Sequence, residues 1–333
     1  MDKRLIIAVA GSGKTRKIVE DLDTTRRTLI ITYTIKNQEE IRNRVYKKFN
    51  TIPENIHIFG LFQFLFNFCI KPTAKFPKIK GFILSSDNHY GEYLSGDMFF
   101  SNMLSKWILD NYDEENIARR LEMFFDVLYV DEFQDLTSYD FNLMLKLGMC
   151  DVDTKTWFLG DFYQKTFNSS NNGNNGIGIH KDYNKWIKAI KDSGYLVDDE
   201  SLTKSNRCPG AICNFIKTKL GIAIESSLNR EGVVKFVEDR NEIDELIKNN
   251  DVKKLFYQKH YDYNCNSSNW GESKGGEFDK VCVVLNKTMC NIFNNGNFNS
   301  HKPDTRSKFY VTCTRAKNEL YFVRESDIKK YKN

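Results

Sequence analysis

The segment Arg4-Leu5-Ile6-Ile7-Ala8-Val9-Ala10-Gly11-Ser12-Gly13-Lys14-Thr15 decides how the chain is read. A short apolar run breaks into a turn of small residues that closes on Gly-Lys-Thr. The run predicts a buried strand. The turn exposes successive backbone N–H groups, and a helix opening at about Lys14 aims its positive end at the same place. Ala10, Gly11, Ser12, Gly13, Lys14 and Thr15 therefore form a candidate phosphate cradle. Lys14 can reach β- and γ-phosphates, and the Thr15 hydroxyl can ligand Mg²⁺. The common form of this loop begins with Gly, and here that position is Ala8. From this segment alone, a Gly-rich turn with no ligand stays open.

Working outward, Val127-Leu128-Tyr129-Val130 predicts a second buried strand, ending in Asp131-Glu132-Phe133-Gln134-Asp135. Acids at the carboxyl end of a central strand are costly unless they serve a metal or a reaction. Asp131 is the candidate Mg²⁺ ligand, and Glu132 the candidate group to polarise an attacking water. A lone acidic pair would read as a solvated turn; a phosphate loop upstream in the same sheet argues otherwise. Thr156-Trp157-Phe158-Leu159 is the next strand. Beyond it Gln164 carries an amide able to sense a γ-phosphate.

The 333 residues, 41% hydrophobic and 28% charged, suit a soluble globular chain of one to three domains. The net charge of +5 permits a nucleic-acid partner without requiring one. The eight cysteines show neither a CxxC pair nor zinc spacing, which suggests reduced core thiols and a cytoplasmic setting. The sequence has no run of membrane-spanning length, and its start reads as a first strand rather than a signal peptide.

Strands alternating with helices predict an α/β fold with parallel sheets. Strands are expected at about 4–9, 28–32, 56–59, 127–130 and 156–159. An insertion over about 71–125 carries helices near 98–111 and 114–125, with Phe99, Phe100, Trp107 and Tyr112 as core aromatics. An Asn-rich loop over 168–178 sets a boundary near 180, giving domains 1–180 and 181–333. The second half repeats the alternation. It has strands at about 233–237, 253–257, 281–285 and 320–323, and a helix that includes Thr312–Lys317.

Taken together, the motifs resemble those of the UvrD/Rep-like superfamily 1 helicases. Ala10–Thr15 resembles their Walker A, and Thr32-Tyr33-Thr34 with Lys36 their motif Ia. Asp131–Asp135 resembles motif II, and Gly160-Asp161 with Gln164 motif III. Leu202 with Arg207 is similar to motif IV, Lys274-Gly275-Gly276-Glu277-Phe278-Asp279 to motif V, and Tyr310–Lys317 to motif VI. Single motifs are weak signals, whereas an ordered series is strong. The resemblance implies two RecA-like P-loop NTPase domains clamping ATP and Mg²⁺ at their interface. It implies Arg207 and Arg315 as arginine fingers, which suits a transition state with charge spread over the phosphoryl oxygens. Glu277 would contact the ribose. Lys14, Glu132 and Gln164 complete the expected catalytic set.

Departures from the pattern matter as much. Asn206 stands where the family has a base-stacking tyrosine, which leaves Arg16 to stack on adenine. Phe167 survives after Gln164, but Ser169-Ser170-Asn171 replaces the Trp-Arg-Gly that follows in the family. Tyr33, Thr34, Lys36, Phe59 and Phe167 are the remaining candidates for contact with single-stranded DNA, with Phe62 a further stacking candidate; Phe59 and Phe62 read equally well as core. The accessory insertions are short. The expectation is a compact ATP hydrolase that moves on single-stranded DNA, 3′ to 5′ by resemblance. The alternative is a nucleotide-gated ATPase acting with a protein partner, such as a nuclease, without unwinding of its own.

Overall fold

A computed structural model describes residues 2–72, 79–85, 92–166, 168–169, 178–296, 298 and 302–333. The chain divides into two compact units. The first comprises Met1–Ile7, Lys14–Phe162 and Phe167–Ser201; the second comprises Ala8–Gly13, Tyr163–Thr166 and Leu202–Asn333.

The first unit is built on a six-stranded sheet. Its spatial order is Ile56–Gly60, Thr28–Thr32, Val127–Val130, Lys155–Gly160, Lys3–Ala8 and Leu196–Leu202. The first five strands pair in parallel. Every residue of Thr28–Thr32 and Val127–Val130 is buried, as expected for interior parallel strands covered on both faces. Leu196–Leu202 (LVDDESL), largely exposed, takes an edge. The helix Ile35–Phe49 buries Ile41 and Val45, and Asn50 closes it in the left-handed conformation. After Gly60 the aromatic run Phe64–Ile70 forms a π-helical turn with every residue but Asn67 buried.

The insertion has two expected helices and one unexpected sheet. Met98–Phe100 is a strand pairing with Gly81–Ile83 and Leu94–Ser95, so the helix begins only at Leu104 and runs to Asn111. Phe99 is buried and packs edge-on against Trp107 at 5.2 Å. The second helix spans Glu114–Phe124. Residues 182–201 group with the first unit rather than starting the second. The reason is packing: Trp186, on the helix Tyr183–Asp192, is fully buried against Phe133 and Phe162.

The second unit has a five-stranded parallel sheet in the order Val233–Phe236, Ala316–Arg324, Phe278–Leu285, Val252–Phe256 and Ser267–Asn269. Its most apolar strand, with Val281–Leu285 buried, lies at the centre. The helices Gly210–Leu220 and Pro303–Cys313 bury Ile212, Ile216, Phe309 and Tyr310 in one core with Trp270 and Phe322. The helix expected through Lys317 ends at Cys313, because Ala316 already pairs with Phe278 in the sheet. The parallel α/β architecture expected from the alternation is present in both units and matches two RecA-like domains. No helix is long and apolar enough to cross a membrane among the described residues.

Candidate functional site

In the first unit, parallel strand pairing brings the helix after the loop beside the acids after Val130. Lys14 is the first residue of the helix Lys14–Asp21 and is buried. Its Nζ lies 3.5 Å from Glu132 Oε1. Next to it the Thr15 hydroxyl donates to Asp131 Oδ2 at 3.1 Å. The Glu132 amide donates to Asp131 Oδ1 at 2.9 Å, which requires a tight turn: Glu132 has φ +54°. Gln134 Nε2 donates to Glu132 Oε2, and Gln134 Oε1 accepts from the Asp161 amide at 3.0 Å. Gly160 leaves room for that amide, since a Cβ there would come 2.9 Å from Gln134 Oε1.

Burial pushes the Asp131 carboxyl up, to about 7; the neighbouring Glu132 carboxylate adds to the push, and the Lys14 ammonium opposes it. A buried carboxylate short of positive charge, touching a hydroxyl, is a donor set suited to a hard divalent cation. Such an ion takes its remaining ligands from phosphate and water.

The loop itself groups with the second unit. Gly11 and Gly13 have φ of +74° and +98°. At Gly11 a side chain is excluded twice over, because a Cβ would also meet Arg207 Cβ at 2.6 Å and Ser205 Oγ at 2.8 Å. The Ser12 hydroxyl is buried and has no hydrogen-bond partner, so the loop offers an unspent donor. Asn206 anchors the turn: its amide donates to Gly11 O at 2.9 Å and its side chain to Ser12 O at 3.0 Å.

Arg207 and Glu277 meet in the second unit. Arg207 Nε donates to Glu277 Oε1 at 2.9 Å, Nη2 joins the same oxygen, and Nη1 reaches Thr314 O at 3.3 Å. Arg315 is buried. Its guanidinium donates to Val311 O at 2.9 Å, Gly276 O at 3.3 Å and Thr314 Oγ1 at 3.2 Å. Gln164 is buried at the end of a short turn. Arg16 is exposed and pairs with Glu20 at 3.5 Å.

The candidates for strand contact divide. Tyr33 packs edge-on against Phe62 at 5.7 Å, and burial, then Asp140 and Asp135, push its phenol up to about 12. Thr34 caps the helix Ile35–Phe49 by accepting from the Asn37 amide at 3.1 Å. Lys36 is exposed. Phe59 is half-buried against His57. Phe167 lies outside the described residues.

Three participants escaped the sequence reading. Gln134 was visible as part of an acidic motif, but nothing marked its amide as the link between Glu132 and Asp161. Asn206 was visible only as a departure from a motif. Tyr310, whose Oη accepts from the Ala10 amide at 2.9 Å, was visible only as the first residue of the stretch similar to motif VI, with nothing to mark a role for its phenol.

A strand, a Gly-rich loop and a helix in succession, paired acids at the end of a parallel strand two places across the same sheet, and an arginine–glutamate pair in a second unit with its own parallel sheet fit the core of a superfamily 1 helicase. The family model for the viral superfamily 1 RNA helicase core domain matches residues 107–324, about two thirds of the chain, and the chain belongs to that family. The superfamily is the one the motifs implied. Within it, the matching model is viral, where the motifs suggested the UvrD/Rep type. No curated protein matches the sequence. Solved structures with a similar fold include the PRRSV helicase, at 15% identity and TM-score 0.52 over 98% of this chain and 53% of that one. Arterivirus nonstructural protein 10 (helicase) in complex with DNA matches at 15% and 0.52, over 96% of this chain and 60% of that one. The chain thus spans between about half and three fifths of the length of these neighbours.

Proposed function

We propose that this chain hydrolyses ATP with Mg²⁺ and uses the cycle to move along single-stranded nucleic acid. The observation that carries the reading is the joining of Thr15 to Asp131 and of Lys14 to Glu132. In this reading Ala10–Thr15 hold the phosphates through backbone amides and the Lys14 ammonium. Thr15 and Asp131 hold the metal ion, which neutralises phosphate charge when bound. Glu132, oriented by Gln134, accepts a proton from the attacking water. Gln134 also joins Glu132 to the Asp161 amide.

Arg207 and Arg315 supply positive charge to the phosphoryl oxygens in this reading. Arg207 has the stronger support, since its Cβ lies against Gly11 and its guanidinium is held by the half-exposed Glu277 carboxylate and by Thr314 O. Glu277 would release Arg207 on turning to the ribose, and Arg16 would stack on adenine. Tyr33, Thr34, Lys36, Phe59 and Phe167 would face the strand.

At finer grain, we read the strand as DNA and the direction as 3′ to 5′, on the UvrD/Rep resemblance. The matching family's description names RNA and one structural neighbour was solved with DNA, so both polymers belong in the test. ATP turnover is measured with no nucleic acid, with single-stranded DNA and with single-stranded RNA, for wild type, Lys14→Ala and Glu132→Gln. Stimulation by one polymer is expected. Each substitution is expected to lower turnover by about 100-fold or more, since both act on developing charge or on the proton. Turnover indifferent to both substitutions overturns the reading. Turnover that depends on them but ignores both polymers favours the interaction ATPase instead.

A further inference from the structure

The phenol of Tyr310 holds one peptide of the phosphate loop. Its Oη accepts from the Ala10 amide at 2.9 Å, and both residues are fully buried. Ala10 sits inside a turn closed by the Ser12 amide donating to Val9 O at 3.1 Å. An acceptor fixed on that amide from outside the turn sets the Val9–Ala10 peptide plane. That plane sets the path of the chain into Gly11 and Ser12.

Tyr310 is held in turn. The Tyr163 ring meets it edge-on at 6.2 Å. The Arg306 guanidinium lies 4.7 Å over the Tyr163 ring, and its Nε donates to Leu220 O at 3.0 Å, at the end of the helix Gly210–Leu220. The series Arg306, Tyr163, Tyr310, Ala10 ties three segments to one peptide: the turn bearing Gln164, the helix leading to Arg315, and the loop.

We propose that Tyr310 is a positioning residue for triphosphate binding. Its hydroxyl keeps the loop in a phosphate-ready path, and Tyr163 clamped by Arg306 keeps the hydroxyl in place. The proposal rests on the nucleotide reading above. Without the hydroxyl, the Ala10 N–H is buried and unpaired, a costly state that the loop relieves by shifting. Binding must then reassemble the cradle, and that cost falls on affinity rather than on the chemical step.

The test is Tyr310→Phe in the full chain, which keeps the buried ring. Steady-state hydrolysis of Mg-ATP is expected to show KM raised about tenfold, with kcat within about twofold of wild type. A tyrosine that only fills the core would lower the amount of active protein; kcat would fall and KM would stay, which overturns the proposal. Should Tyr310→Phe fail to fold, Arg306→Gln decides, because it loosens Tyr163 without touching the buried phenol. A KM raised about threefold supports the proposal, and an unchanged KM overturns it. A wild-type chain that hydrolyses nothing sinks the hydrolysis reading alone. Dissociation constants of Mg-ATP for wild type and Tyr310→Phe, measured by calorimetry, then decide for Tyr310. A wild type that does not bind Mg-ATP overturns both.

Discussion

Asp140 shows what a single buried charge does to this chain away from the phosphate loop. It sits in the first turn of the helix Ser138–Met149, fully buried, with Ser169 Oγ donating to its Oδ2 at 2.6 Å. Burial pushes its carboxyl up to about 6, and hydrogen bonding from Ser105 and then Ser169 only partly offsets that push. A group whose folded pKa is raised favours folding fully below its unfolded value, near 3.9, and that benefit is lost as pH rises through about 6. Stability should therefore fall between about pH 4 and 7 on account of this residue, by up to about 3 kcal/mol for a shift of about two units. Asn cannot ionise but can still accept from Ser169. Asp140→Asn should be the more stable chain at pH 7, with a flatter pH profile, in urea unfolding from pH 4 to 7.5. Parallel profiles for the two chains would show that Asp140 is better solvated than its burial implies. Glu132 pays a different cost: its left-handed backbone is disfavoured by about 1–2 kcal/mol, and a non-glycine residue kept there is what a functional position looks like.

At the scale of elements, a motif residue can have a local duty that its motif conceals. Thr34 was read from a motif as a strand contact, yet its hydroxyl caps the helix Ile35–Phe49. Thr34→Ala should cost about 1 kcal/mol of stability as a lost N-cap, read as a lower thermal midpoint. Thr34→Ser should restore it. If strand affinity falls with Ala and returns with Ser, the hydroxyl or the helix start matters to the strand; if affinity ignores both, Thr34 is only a cap. The same scale shows what was legible in sequence. Strands such as Thr28–Thr32 and Val127–Val130 were plain because continuous apolar runs fit interior parallel strands. Met98–Phe100 was taken for helix because three apolar residues carry no period, and only pairing with Gly81–Ile83 and Leu94–Ser95 makes them a strand. The helix end at Cys313 was missed for a similar reason: Ala316 belongs to the sheet through its partner Phe278, a contact remote in sequence. The loop and the acids could be read from spacing, whereas Gln134, Asn206 and Tyr310 act through contacts that no local pattern encodes.

For the whole molecule, the open quantity is how strongly a strand is held. The net charge of +5 is small for 333 residues, and Ser169-Ser170-Asn171 stand where the UvrD/Rep-like helicases that the motifs resemble carry Trp-Arg-Gly. Stacking is worth about 1–3 kcal/mol per base, so on the proposed reading weaker stacking would leave more of the load to phosphate contacts from residues such as Lys36. Phosphate contacts release counterions, and affinity then falls with salt at a slope of about −0.7 per phosphate neutralised on a single strand. A strand held by three to five such contacts gives a log–log slope of about −2 to −4. Fluorescence anisotropy of a labelled oligonucleotide between 50 and 200 mM salt, with a non-hydrolysable ATP analogue present, measures it; these are on the order of the conditions over which such slopes are resolved. Lys36→Ala should make the slope shallower by about 0.7 if that side chain meets a phosphate. A slope near zero for the wild type would mean that phosphates do not hold the strand. Tracking along a strand would then have to rest on the aromatic candidates Tyr33, Phe59 and Phe167 alone; if their substitution by Ala also leaves strand affinity unchanged, the nucleotide cycle would have to act on a protein partner instead.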